Sequence, residues 1–296
     1  MVGDRPAPRQ GSPRSRGAGD LDRLGRDGLL GLERAEADQL HRRRAAARAS
    51  AVEIAPSAKP QPQRVRARMA ASPYPQGEMR RAVDILARGP WAAEQVDVRW
   101  SDEPYAPPPE RAAAADAAIA ALRERGSPSH DGQAGRLVDF GCSGDRLVVE
   151  LQPVRWALRL VEGDASRSVA GLLLTRDRAG RWLAGRRAPW LASWAGRWAL
   201  GAGGAVDVGE SPVRTLTREL REEWSVEPER LQVEALVRLP HDLVMFVGSA
   251  WLAEGARVTP DDEHDAYAWW PADVREWPDE ASDELREIPR LLGEAA

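Results

Sequence analysis

Glu219, Glu222 and Glu223 stand at i, i+3 and i+4 of a run that reads PVRTLTRELREEW from Pro212. On a helix that spacing puts the three carboxylates on one face, within reach of a common ion. Acids stacked this closely repel one another unless a cation or a proton lies among them. A hard divalent ion with oxygen ligands, Mg²⁺ or Mn²⁺, is the natural occupant. Three acids on a helix are also what a solvated helix face carries, so their meaning depends on the residues around them.

Those residues keep a fixed spacing. Gly204 is followed by five residues and Glu210; seven more lead to Arg218, Glu219, Leu220, Arg221, Glu222, Glu223, Trp224, Ser225 and Val226. The stretch resembles the Nudix box: Gly, five residues, Glu, seven residues, then Arg-Glu-apolar-x-Glu-Glu-x-Gly-apolar. Every charged position is filled, and Ser225 stands where the family has Gly. The resemblance implies hydrolysis of a nucleoside diphosphate linked to another group, with Mg²⁺ (or Mn²⁺) as cofactor. It implies catalytic and metal-binding roles for Glu219, Glu222 and Glu223, and a carbonyl ligand from a Gly203–Gly204 turn, where glycine lets backbone approach an ion. Ala202 replaces the Pro common before those glycines. Arg218 would orient a box carboxylate by a charge-assisted hydrogen bond, Glu210 would support Arg218, and Leu220 and Val226 would be core contacts. A Ser at the helix C-terminus costs about 1 kcal/mol where a left-handed residue is needed.

Outside the box the family often draws a further carboxylate, ligand or base, from the connection after its last long strand. Here that connection holds Asp261, Asp262, Glu263 and Asp265, with Glu263 the favoured residue and a plain polar loop the alternative. Arg186 and Arg187 follow a strand expected beside the metal site and are candidates to clamp substrate phosphates; solvated surface is the other reading. Trp198, with Trp190 and Trp194 nearby, offers a stacking face for a base or a core contact.

The elements that must position these groups follow from periodicity and turn residues. Ser211 and Pro212 are a helix N-cap and first position. Strands are expected at Val169–Thr175, Trp182–Arg186, Trp198–Leu200, Leu231–Leu239, Leu243–Leu252 and Ala266–Trp270, with helices at 272–276 and 281–292. The fold class is α/β: a Nudix-type α/β/α sandwich with a mixed sheet over 166–296. Before it, residues 69–165 read as a small α+β lead-in domain. Its expected elements are a helix at Glu78–Ala87, a strand at Val96–Trp100, a helix from Glu110 to about Arg125 closed by Gly126, and strands at Arg136–Phe140 and Leu147–Leu151. The segment from Asp131-Gly132 to Arg136-Leu137 resembles the lead-in of Nudix enzymes acting on UDP-sugars.

Residues 1–68 are rich in Arg, Pro, Gly and Ala and read as a disordered tail, with a helix around 29–49 as an option, or as sequence upstream of a start near Met69. They hold 15 basic and 8 acidic residues, against 27 and 38 in the remainder. So acidic a body repels a phosphate backbone, which argues against a nucleic-acid partner. A single cysteine, Cys142, excludes an intrachain disulfide and a multi-Cys zinc site. No apolar run reaches the length of a membrane span, and no apolar stretch follows the early arginines as in a secretory signal. The expectation is a cytoplasmic protein with no membrane partner, acting on a small nucleotide diphosphate; a homodimer is compatible with the sequence. The rival reading is a Nudix-derived sensor or transcription regulator that binds a nucleotide sugar without cutting it. Such proteins lose box carboxylates, which are intact here.

Overall fold

Apolar strands assemble into two sheets in this computed structural model, which describes residues 83–124, 126, 131–191 and 194–292. The expected tail at 1–68 lies outside the described residues. The strands are β1 (Asp84–Ala92), β2 (Val96–Trp100), β3 (Gln133–Ser143), β4 (Arg146–Arg155), β5 (Val169–Arg176), β6 (Trp182–Arg187), β7 (Trp198–Leu200), β8 (Ala202–Ala205), β9 (Arg230–Arg238), β10 (Val244–Trp251) and β11 (His264–Trp270). The helices are α1 (Pro109–Glu124), α2 (Pro212–Trp224) and α3 (Asp283–Leu291). The large sheet runs β1-β9-β10-β5-β6-β11, with β7 on β6 and β8 on β5. It is mixed: β10 and β5 are parallel and its other pairs antiparallel. The small sheet runs β2-β4-β3.

Successive side chains on a strand point to opposite faces, and here the two faces meet different helices. Leu173 and Leu183 pack with Leu216, Leu220 and Trp224 of α2. Their neighbours Leu174, Trp182 and Ala184 pack the other way, with Trp270, Trp277 and Leu285 of α3. The result is the α/β/α arrangement expected from the sequence. All described residues lie in one compact unit. The small sheet contributes Leu137, Leu147, Val149 and Leu151 to the core that holds α2. It also braces the segment entering that helix: Gly135 N–H donates to the Val206 carbonyl (2.7 Å), and Trp100 Nε1 to that of Glu210 (3.0 Å). Among the described residues no helix is long and apolar enough to cross a membrane.

Three expectations need correction. Of the expected helix Glu78–Ala87, residues 84–87 are strand instead; 78–82 lie outside the described residues. Asp84–Ala92 pairs antiparallel with β9, so the unsatisfied edge of a sheet overrides a helical spacing of apolar residues. The helix at 272–276 is a single 3-10 turn, Val274–Glu276, capped when the Asp273 carboxylate accepts from Arg275 N–H. The Gly203–Gly204 turn is strand β8, paired with β5. Glycine is required there by proximity: a Cβ on Gly203 would lie 2.6 Å from the Gly171 carbonyl oxygen.

Ser225 ends α2 in the left-handed region, φ 54° and ψ 37°, its N–H donating to the Arg221 carbonyl. A side chain in that conformation is strained and glycine is not. Ser225→Gly is therefore expected to stabilise the protein by about 1 kcal/mol, raising Tm by about 2–4 °C in thermal unfolding.

Candidate active site

Helix α2 is fixed at both ends before its acids come into play. The Ser211 hydroxyl accepts from Arg214 N–H at 3.2 Å and Pro212 opens the first turn. Leu216, Leu220 and Trp224 anchor the apolar face, and Trp224 Nε1 donates to the Gly201 carbonyl at 2.9 Å. The same face carries Glu219 and Glu223, only 9% and 5% exposed. Glu222 is turned outward, its side chain 52% exposed.

Arg218 ties the acids together. Its Nη1 donates to Glu219 Oε1 (2.7 Å) and Glu222 Oε2 (3.2 Å). Its Nε donates to Glu210, and Nη2 to Glu210 Oε2 and to the Ala205 carbonyl. Glu210 Oε2 also accepts from the Thr215 hydroxyl at 2.8 Å. Burial opposes the charge on Arg218, but Glu219 and Glu210 outweigh it and hold the guanidinium protonated.

Glu223 is held by backbone, and the charge of Arg187 offsets only part of the cost of its burial. Its Oε1 accepts from Gly203 N–H at 3.2 Å. Burial pushes its pKa well up, and the charges of Glu219 and Glu263 push the same way. Burial likewise raises Glu219 to about 7, against the pull of Arg218. The strand β8 makes this closeness possible. A Cβ on Gly204 would overlap the Glu219 carboxylate, whose Oε2 would stand 2.8 Å away.

A second wall comes from β6 and the loop before β11. Arg187 Nη2 donates to Glu263 Oε2 at 3.3 Å, and Ala188 N–H to the Glu263 carbonyl at 2.7 Å. The loop is pinned to the end of α2: Thr259 and Asp261 N–H groups donate to the Trp224 and Glu223 carbonyls, each at 2.8 Å. Glu263 thus comes near Glu219 and Glu223 from outside the helix.

Arg186 and Arg187 do not converge. Adjacent on β6, they leave opposite faces: Arg187 goes to Glu263, while Arg186 Nε donates to Asp265 at 2.7 Å. Arg186 lines a recess of about 360 Å³ with Trp198, Arg197, Glu280 and Ser282. Trp198 stacks at 5.5 Å on Trp270, so its ring serves the core as well as the recess.

Among the described residues no three His, Cys, Asp or Glu side chains converge as a ready-made ligand set, since Glu219 and Glu222 both face Arg218. The donor chemistry nonetheless fits a hard divalent cation. The carboxylates are all-oxygen donors, and Glu219 and Glu223 are buried beside like charge with too little positive charge to balance them.

The family model described as NUDIX domain matches residues 165–291. This part of the chain is a Nudix domain. The match supports a Nudix pyrophosphohydrolase. No curated protein matches the chain. Similar solved structures include a MutT Nudix hydrolase from Burkholderia pseudomallei, 26% identical over 44% of this chain and 98% of that one, TM-score 0.36. RenU, a Nudix hydrolase from M. smegmatis, is 26% identical over 44% and 90%, TM-score 0.33. The Nudix domain of Shewanella oneidensis NrtR, complexed with ADP ribose, is 18% identical over 43% and 84%, TM-score 0.32.

Two groups in this Nudix domain escaped the sequence reading. Thr215, one turn into α2, hydrogen-bonds Glu210. His264 is buried against Glu223, and its strand begins two residues before the expected one. The signal for it was its place inside the acidic run, between Glu263 and Asp265.

Proposed function

We propose that the Nudix domain hydrolyses a phosphoanhydride bond in a nucleoside diphosphate linked to a second group, using Mg²⁺ or Mn²⁺ held by Glu219, Glu222 and Glu223 with backbone at Gly203. The observation that carries this reading is the pair of buried acids, Glu219 and Glu223, packed beneath glycines that leave no room for a side chain. When bound, the ion supplies positive charge against the phosphate oxygens and lowers the pKa of water. Arg218, gripping Glu210, Glu219 and Glu222 at once, keeps the box carboxylates in place. Glu263, held by Arg187, is the residue positioned to take a proton from the attacking water. On the other face of β6, Trp198 offers an aromatic surface for a nucleoside, flanked by Arg186 and Arg197 in ion pairs with Asp265 and Glu284.

A panel of nucleotide sugars, ADP-ribose, dinucleotides and nucleoside triphosphates with Mg²⁺ or Mn²⁺, followed by phosphate or monophosphate release, tests this. At least one member is expected to turn over, and EDTA to abolish the activity. Turnover that survives complete chelation overturns the metal assignment.

A further inference from the structure

Glu223 is held at one carboxylate oxygen by Gly203, and the group facing the other oxygen lies outside the box. His264 Nε2 stands 3.9 Å from Glu223 Oε2, a packing contact longer than a hydrogen bond, and Nδ1 stands 3.3 Å from Asp261 Oδ1. The imidazole side chain is 1% exposed. Its ring is fixed by stacking on Trp224, centroids 4.5 Å apart. Gly185 of β6 makes room for it, since a Cβ there would overlap the imidazole and lie 2.8 Å from Trp224. Asp261 is itself anchored, its N–H on the Glu223 carbonyl and its carboxylate accepting from Glu263 N–H at 2.9 Å.

We propose that His264 is a positioning residue for Glu223: clamped between Asp261 and Trp224, it walls in the carboxylate on the side that Gly203 does not reach. The inference rests on the metal-binding reading of Glu223 given above. Groups that orient a metal-binding carboxylate typically change metal affinity about 10–100-fold when removed. The arrangement also explains why a histidine is buried at a strand end where an apolar residue would pack as well. Its polar edges lie between two acids, and its ring lies against Trp224 and Gly185 of β6. The same loop delivers Glu263, so one short connection sets both the orientation of a box acid and the acid opposite it.

The test is His264→Phe, which keeps a ring on Trp224 and removes both nitrogens, beside His264→Gln, which restores a polar group. Mn²⁺ binding to the otherwise metal-free protein is measured by titration calorimetry, with thermal unfolding as a check on folding. His264→Phe is expected to weaken Mn²⁺ binding about tenfold or more and to lower kcat with KM little changed, while His264→Gln recovers most of the loss. In the metal-free protein, the Gly203 amide resonance, which reports the bond to Glu223, is expected to move in the Phe variant and return in the Gln variant. If the Phe variant does not fold, His264→Met takes its place, being apolar and able to adapt to the cavity. A folded apolar variant with parental Mn²⁺ affinity and parental kcat overturns the proposal. A parent protein that neither binds Mn²⁺ nor cleaves any substrate overturns the function itself.

Discussion

Replacing Glu223 by Gln is expected to lower kcat on the best substrate by about 10²-fold or more while the chain stays folded. The amide keeps the shape and an oxygen for the Gly203 N–H, so the bond at 3.2 Å survives. What disappears is the negative charge that would hold a cation against the substrate's phosphates. In the metal-free protein that charge is a burden, because it is buried beside Glu219 and Glu263. Neutralising it relieves repulsion, and thermal unfolding should show no loss of stability. Glu222→Gln should share the loss of turnover, whereas Glu210→Gln, which acts through Arg218 and Thr215, should lower activity less. Steady-state kinetics on the three variants decides the matter. Near-parental turnover in both Glu222→Gln and Glu223→Gln would reduce the domain to a binding module.

Gly204→Ala should be almost as damaging to activity through a single methyl group. Gly204 lies in β8 with no left-handed torsion, so alanine meets no backbone objection. It meets the Glu219 carboxylate instead, which must swing away and leave its partner Arg218. Loss of a correctly placed ligand again predicts about a 10²-fold fall in kcat, with an overpacking cost to stability of about 1–3 kcal/mol. Gly201→Ala is the contrast: φ is +60° and the new Cβ would strike the Leu173 carbonyl, so folding itself should fail. Parental activity in Gly204→Ala would show that Glu219 does not need the place it occupies.

How much of this was legible beforehand depended on the range of the interaction involved. The box helix was readable to the residue, because its cap at Ser211, its proline and its three acids are local features. Ser225 in the left-handed region was readable for the same reason. The strand at Asp84–Ala92 was not, because it exists only through hydrogen bonds to β9, and its own apolar spacing suited a helix. Strand β8 was hidden because Ala202–Ala205 has no side chains with a strand preference; its pairing with β5 comes from the absence of bulk. The divergence of Arg186 and Arg187 follows from strand alternation alone, yet reading them as one clamp passed over it. His264 could be found only once the loop was seen folded back onto the end of α2.

Strand β1 sets an order of events for a chain made from its N-terminus. Arg238, whose guanidinium meets Asp84 across the β1–β9 pair at 2.6 Å, lies 154 residues further on. Until β9 has been synthesised, β1 has no partner in the large sheet, and the helical spacing of its apolar residues is free to act. The small sheet, by contrast, has all three strands within residues 96–155 and can pair much earlier. The final edge of the large sheet is therefore closed by a segment made before every other strand of that sheet, a non-local pairing of the kind that slows folding. A nascent chain arrested before Arg230 should carry residues 84–92 without their partner strand, their apolar side chains uncovered for as long as translation pauses there.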